Sequence, residues 1–127
     1  MFSKKKNINN DIEAQKLTKQ TIKFIQMEKY NLALSCLDEV IEKKIFFKDI
    51  DLYYSVVYLN YGDFYFKKKK FNSAINCFLK AELFISNTDD TLITDIYIKL
   101  ASSYQCLGDM GAAKNIYEKL NKKKYKP

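Results

Sequence analysis

Residues 58–81 read YLNYGDFYFKKKKFNSAINCFLKA, and residues 97–120 read YIKLASSYQCLGDMGAAKNIYEKL. Both stretches follow one pattern: a small residue stands three positions before a tyrosine, and an alanine follows twelve positions after the small residue. Residues 17–40 carry a weaker copy of the same pattern. A pattern repeated along a chain predicts a stack of similar structural units, each of which buries its apolar face against the next.

The spacing within each copy is that of two helices that pack closely together. Gly62 and Tyr65 are three residues apart and therefore share one face of a helix, where the small residue lets a second helix approach. On the second helix, Ala74 takes the same close-approach role, and Phe78 and Ala81 follow one and two turns later. The equivalent positions are Thr21, Phe24, Ala33, Leu37 and Val40 in the first copy and Ala101, Tyr104, Ala113, Tyr117 and Leu120 in the third. Each copy predicts an antiparallel helix hairpin.

The chain contains only three glycines and one proline, at its last position, which favours long uninterrupted helices. We expect Asn10 to cap the first helix, with Glu13 completing a capping box, and we expect Asn31, Asn72 and the pair Gly108–Asp109 to form the hairpin turns. The six predicted helices cover residues 10–28, 31–44, 49 or 51 to 67–70, 72–85, 89 or 90 to 107, and 110–122. The predicted organisation is a flexible basic tail (1–9), a repeat domain (10–122) and a frayed basic tail (123–127).

The pattern resembles the tetratricopeptide repeat family over roughly residues 11–122. The resemblance implies an all-α, right-handed α-α superhelix of three stacked antiparallel helix hairpins. The middle copy matches best; the third has Ala101 in place of the usual glycine, and the first departs at Gln20 and Thr21. None of the copies keeps the proline that usually follows the second helix.

The repeat period is longer than usual for this family. Ala33 and Ala74 are 41 residues apart and Ala74 and Ala113 are 39 apart, whereas the common period is about 34 residues. The extra residues fall between copies, around 46–51 and 87–91. They are interpreted as first helices lengthened at their starts by a turn or two.

Composition argues against an enzyme and against a secreted protein. The chain has no His, which excludes Ser-His and Cys-His catalytic pairs and histidine metal ligands, and its three glycines form no phosphate-binding loop. We therefore expect no catalytic activity, no cofactor and no metal site. The N-terminal lysines precede no apolar run, so no signal peptide or transmembrane segment is expected. Cys36, Cys77 and Cys106 are interpreted as small buried residues with reduced thiols, in a cytoplasmic protein.

In the tetratricopeptide repeat family the first helices of successive repeats line a concave groove, and the resemblance carries this groove over to the present chain. An apolar strip edged by polar groups suits a peptide or a helical segment of a partner. The implied groove residues are Gln15, Thr18, Ile22, Gln26, Val56, Leu59, Asn60, Asp63, Phe66, Lys67, Asp95, Ile98, Lys99, Ser102 and Gln105.

Chaperone-binding members of the family hold a C-terminal carboxylate with lysines and asparagines. At the corresponding positions only Asn60 and Lys99 fit, whereas Thr18 and Ile22 do not and Asp95 repels a carboxylate. We therefore expect an apolar or helical ligand rather than an acidic tail.

The predicted function is a protein–protein interaction module, either an adaptor, a regulator or a chaperone, acting as a monomer or weak homodimer. Two alternatives stay open. The basic clusters at 4–6, 67–70 and 122–126 suit nonspecific binding to nucleic acid or another acidic surface, although the chain has no Arg for guanine contacts. Three-repeat members of the family also serve as secretion-type chaperones.

Overall fold

The protein is built from consecutive α-helices that pack in antiparallel pairs. The structure, a computed structural model, describes residues 2–85 and 90–124, with side chains for 11–85 and 91–122, and within these residues it contains six helices and no strand. They are α1 (Phe2–Gln26), α2 (Tyr30–Glu42), α3 (Ile50–Lys67), α4 (Phe71–Phe84), α5 (Asp90–Leu107) and α6 (Met110–Lys124). Each odd-numbered helix packs on the next one, and the contacts of α2 with α3 and of α4 with α5 join the three hairpins into one stack. The predicted all-α stack of three helix hairpins is confirmed.

The three hairpin turns share one backbone geometry. A single residue in each turn has a positive φ: Glu28 at 58°, Lys69 at 60° and Gly108 at 83°. The N–H of the next residue donates to the carbonyl oxygen of an aromatic residue five positions earlier; the donor–acceptor pairs are Lys29–Phe24 at 2.8 Å, Lys70–Tyr65 at 3.0 Å and Asp109–Tyr104 at 2.9 Å. Such a bond satisfies the free carbonyl groups at a helix end, and the left-handed residue reverses the chain. Each aromatic position of the repeat therefore also marks the end of a first helix.

The turn residues were only partly predicted. Gly108 and Asp109 form the third turn as expected, and Asp109 Oδ1 accepts a hydrogen bond from the N–H of Ala112 at 3.1 Å. The prediction for Asn31 and Asn72 is wrong, because each is the second residue of its helix, α2 or α4. Asparagine favours turns by its local chemistry, but here the backbone reverses one turn earlier, at charged residues that carry no such preference.

The first helix is longer than predicted. α1 begins at Phe2 rather than after Asn10, so the predicted helix start is wrong. No glycine or proline interrupts residues 2–9, and a capping residue marks a helix start only where the backbone before it leaves the helical conformation. Glu13 forms no capping box and instead accepts a hydrogen bond from Lys43 Nζ of α2 at 2.9 Å.

The other predicted limits agree closely with the structure, and α6 ends at Lys124, two residues beyond the predicted end. Asp89, the alternative start of the fifth helix, lies outside the described residues, as do residues 1 and 125–127. The division of the chain into a domain at 10–122 and tails at 1–9 and 123–127 stays a prediction.

Gly62 lies where α3 packs against α4 in the second hairpin. A Cβ atom at Gly62 would lie 2.6 Å from Cδ1 and 2.9 Å from Cζ of Phe78, a fully buried ring of α4. The other small residues of the pattern are buried too, as predicted: Thr21, Ala33, Ala74, Ala101 and Ala113. The repeat spacing therefore records where helix backbones meet.

The core continues through the stack rather than ending within each hairpin. Tyr54 of α3 donates a hydrogen bond to Asp38 Oδ1 of α2 at 2.6 Å and stacks on Phe84 of α4 with ring centroids 4.7 Å apart. The buried hydroxyl of Ser55 donates to the carbonyl oxygen of Ala81 at 2.8 Å. In residues 2–85 and 90–124, none of the helices is both long and apolar enough to cross a membrane.

Two of the three cysteines occupy the predicted buried positions. Cys36 and Cys77 are buried, and desolvation raises the pKa of both thiols, that of Cys77 to about 11. Cys106 is exposed near the end of α5, so the prediction that it is buried is wrong.

Replacing Gly62 with alanine should lower the free energy of unfolding by about 1–3 kcal/mol, because the added methyl group overpacks the contact with Phe78. The same change at Gly111 is the control, since its Cβ would meet nothing nearer than Asp109 Oδ1 at 3.9 Å. Gly111→Ala should leave stability unchanged or raise it by up to about 1 kcal/mol, because alanine is the better helix former. Chemical denaturation measures both variants, and a Gly62→Ala protein as stable as wild type would contradict the packing described here.

Thiol labelling should distinguish the cysteines. At pH 8 we expect one thiol, Cys106, to react rapidly with a maleimide or iodoacetamide in the folded protein, and all three to react after denaturation. The raised pKa keeps Cys77 protonated well above pH 8, and the thiolate is the reactive species. Mass spectrometry of labelled peptides measures the order, and early labelling of Cys77 would show that α4 is less protected than its burial indicates.

Candidate partner-binding groove

The predicted groove residues lie on α1, α3 and α5, the first helices of the hairpins. On α3, the residues Val56, Asn60 and Asp63 follow one another at helical spacing along one face and are half-buried. On α5, Asp95 and Ile98 lie on the corresponding face, and the Ile98 side chain is 45% exposed. Of the remaining predicted residues, Thr18, Lys99 and Ser102 are half-buried and Gln15, Ile22, Gln26, Lys67 and Gln105 are exposed. The exposed and half-buried members of this set include both apolar and polar side chains.

Leu59 does not belong to that face. It is only 7% exposed and belongs to the main core cluster, which also contains Ile75 and Ile96. Phe66, seven residues further along α3, also packs against this cluster and meets the ring of Phe71 edge-on at 5.3 Å. The assignment of Leu59 to the groove is therefore wrong, and Phe66 serves the packing of α3 on α4. The two residues are rotated from the groove face toward α4.

A charged cluster joins α3 and α5 in the groove. Lys99 Nζ lies 2.5 Å from Asp63 Oδ2 and 3.6 Å from Asp95 Oδ2. The side chains of Asp63 and Lys99 are about one-third exposed, whereas that of Asp95 is 47% exposed. One ammonium is thus shared between two carboxylates, and Lys99 is engaged within the chain. A carboxylate ligand would have to compete with both aspartates for it.

A cleft of about 460 Å³ opens at the end of the groove where α3 begins. Its apolar surface comes from Ala14 of α1, from Phe46 and Phe47 in the connection between α2 and α3, and from Tyr53 of α3. Phe47 and Tyr53 meet edge-on with ring centroids 5.2 Å apart, while Phe46 is 77% exposed at the opening. Its polar rim consists of Asp11, Gln15, Thr18, Lys19, Lys48 and Asp49. The cleft is an apolar recess framed by charges of both signs.

The cleft shares residues with the predicted groove. Gln15 and Thr18 line it and were predicted as groove residues, and Tyr53 lies one turn before Val56 on the same face of α3. Phe46, Phe47 and Tyr53 were not predicted. The long repeat period was a signal for Phe46 and Phe47, since the extra residues around 46–51 include these two aromatics. The extra residues were interpreted as a lengthened start of the first helix; α3 begins at Ile50, within the predicted limits, and residues 46–49 form a connection that lines the cleft.

A second aromatic cluster supports the turn between α1 and α2. Tyr30 stacks on Tyr61 at 5.0 Å, and the hydroxyl of Tyr65 donates to that of Tyr61 at 3.0 Å. The Tyr61 hydroxyl in turn donates to Asn31 Oδ1 at 3.4 Å. The bond with Tyr65 and desolvation raise the pKa of Tyr61 to about 12, so its hydroxyl stays neutral at physiological pH. These tyrosines hold the first hairpin against α3.

Two segments of the chain match a known family of repeats. The sequence profile described as tetratricopeptide repeat matches residues 56–83 and 94–122. These two matches cover most of α3–α4 and of α5–α6, the second and third copies of the pattern. No curated protein and no solved structure matches the chain. With two matched repeats, each folded as an antiparallel helix hairpin, and a first hairpin that repeats the same turn geometry, the chain belongs to the tetratricopeptide repeat family.

Proposed function

We propose that the chain is a non-enzymatic interaction module that binds a peptide or a helical segment of a partner protein in the groove formed by α1, α3 and α5. The observation that carries the proposal is the aromatic cleft at the end of this groove. Tetratricopeptide repeats are in general protein–protein interaction modules, which fits a groove rather than an enclosed catalytic pocket. Adaptor, regulator and chaperone roles, including that of a secretion-type chaperone, would all use such a contact.

The surface chemistry supports a protein ligand. Binding grooves for peptides combine apolar anchor positions with polar edges that orient the chain. Here the cleft offers an apolar recess of about 460 Å³, within the usual range for sites that accept a bulky group. Ile22 and Ile98 add exposed apolar surface further along the groove, and the charged cluster around Lys99 adds a polar boundary.

Binding to nucleic acid or another acidic surface through the lysines is the second candidate. Lys67, Lys68, Lys69 and Lys70 are all exposed at one hairpin turn. Lys68 Nζ lies 4.2 Å from the ring centroid of Phe64, so this ammonium already has an aromatic partner. Contacts between lysines and phosphate groups weaken steeply as the salt concentration rises. Apolar contacts in the groove would not weaken in this way.

Capture from a lysate of source cells at physiological salt tests the proposed groove. Ile98→Asp should reduce retention of a specific partner at least tenfold, because it places a charge on the exposed apolar surface of α5. The control is Leu83→Asp, the same change on α4 at a side chain that is 79% exposed and outside the groove, and it should retain the partner like wild type.

Two results would count against the proposal. Equal retention by wild type and Ile98→Asp would place the contact outside the groove. Retention of nucleic acid by all three proteins, lost when Lys67–Lys70 are changed to glutamine, would move the function to the lysine cluster.

A further inference from the structure

The centre of the groove differs in charge from the rest of the protein. The chain carries a net charge of +7, yet the cluster that joins α3 and α5 contains two carboxylates and one ammonium, a net charge of −1. Asp95 is its most open member, with 47% of its side chain exposed and a distance of 3.6 Å from the shared Lys99 Nζ. Asp63 lies closer to that ammonium, at 2.5 Å. Asp95 is therefore the less neutralised carboxylate and the one that faces solvent.

The repeat geometry places Asp95 within reach of the cleft. Asp95 stands six residues before Ala101, just as Val56 stands six residues before Gly62, so the two residues lie at the same level on neighbouring first helices. Packed helices are about 8–10 Å apart. Tyr53, which lines the cleft, is one turn before Val56 on the same face. A segment of about 10–15 Å, which corresponds to about two or three turns of helix, would span both features.

The lysines nearest to the groove do not cancel this charge. Lys67 is eleven residues after Val56 on α3, which corresponds to about 16 Å along the helix axis and separates it from the level of Asp95. At the cleft, Lys19 and Lys48 stand beside Asp11 and Asp49, so the rim is balanced in charge.

We propose that the occupant of this groove is a cationic amphipathic segment of a partner protein, with a bulky apolar side chain in the cleft beside Phe46 and a lysine or arginine against Asp95. The inference rests on the proposed function and specifies the chemistry of the ligand. Apolar contact would supply most of the affinity, and the charge at Asp95 would select among segments of similar shape.

Selection from a displayed library of random 16-residue peptides on the immobilised full chain tests this inference. Wild type should enrich peptides that combine a bulky apolar residue with lysine or arginine and should deplete aspartate and glutamate. This outcome cannot come from net charge, because a protein of net charge +7 attracts acidic peptides at long range.

Asp95→Lys should abolish or reverse the preference for basic over acidic peptides. It should also weaken the binding of a selected basic peptide about fivefold, which is the scale of an exposed ion pair. Glu118→Lys is the matched control, since it makes the same change in charge at an exposed residue of α6, and it should select the same peptides as wild type.

The remaining outcomes separate this inference from the proposed function. Peptides that are acidic or show no preference in charge, but whose binding is lost in Ile98→Asp, would overturn the cationic ligand and leave the groove in place. Enrichment that is equal for wild type and Ile98→Asp, or no enrichment by either, would overturn both.

Discussion

The contact between Gly62 and the Phe78 ring is the constraint on which the central hairpin depends. Because no side chain separates the α3 backbone from this ring, the two helices approach closely over their buried faces. That approach brings Ser55 within hydrogen-bonding distance of the Ala81 carbonyl and Tyr54 into stacking contact with Phe84. The outer hairpins pack on the two sides of α3–α4. The distance between α3 and α4 therefore sets the positions of the outer hairpins and the shape of the groove between the first helices.

The spacing of the small residues predicted the fold because the helices of every copy must pack closely, and close packing requires a small residue at the same position in each copy. Gly62, Ala74 and Ala101 are each required where a neighbouring helix comes close, and at Gly62 this need outweighs the poor helix propensity of glycine. The turns were harder to predict. Glu28 and Lys69 adopt left-handed conformations that favour glycine or asparagine, and only the packing of the two helices on each other places them there. Asn10 shows the converse, since a favourable capping residue lies inside a helix that nothing interrupts.

The candidate site was predicted less completely than the fold. The resemblance assigned the groove to α1, α3 and α5, but a one-residue difference in position rotates a side chain by about 100° around a helix. That rotation separates the buried Leu59 from the half-buried Asn60 beside it. The long repeat period pointed to the segment that lines the aromatic cleft but did not predict its conformation. Phe46 and Phe47 belong to a connection without helical repeat, and the sequence showed only that extra residues were present, not that they turn back over α1.

The order of packing along the stack has a consequence for cooperativity. Within the part of the chain that the structure describes, helices pack chiefly on their neighbours in sequence, and α3 also meets α5. In such a quasi-one-dimensional array, the first and last hairpins are coupled through the second hairpin. The terminal hairpins can therefore unfold before the central one. A ligand that reaches from the cleft beside α1 to Asp95 on α5 would contact all three hairpins at the same time. Occupancy of the groove would then convert a molecule whose hairpins open in succession into one that unfolds as a single unit.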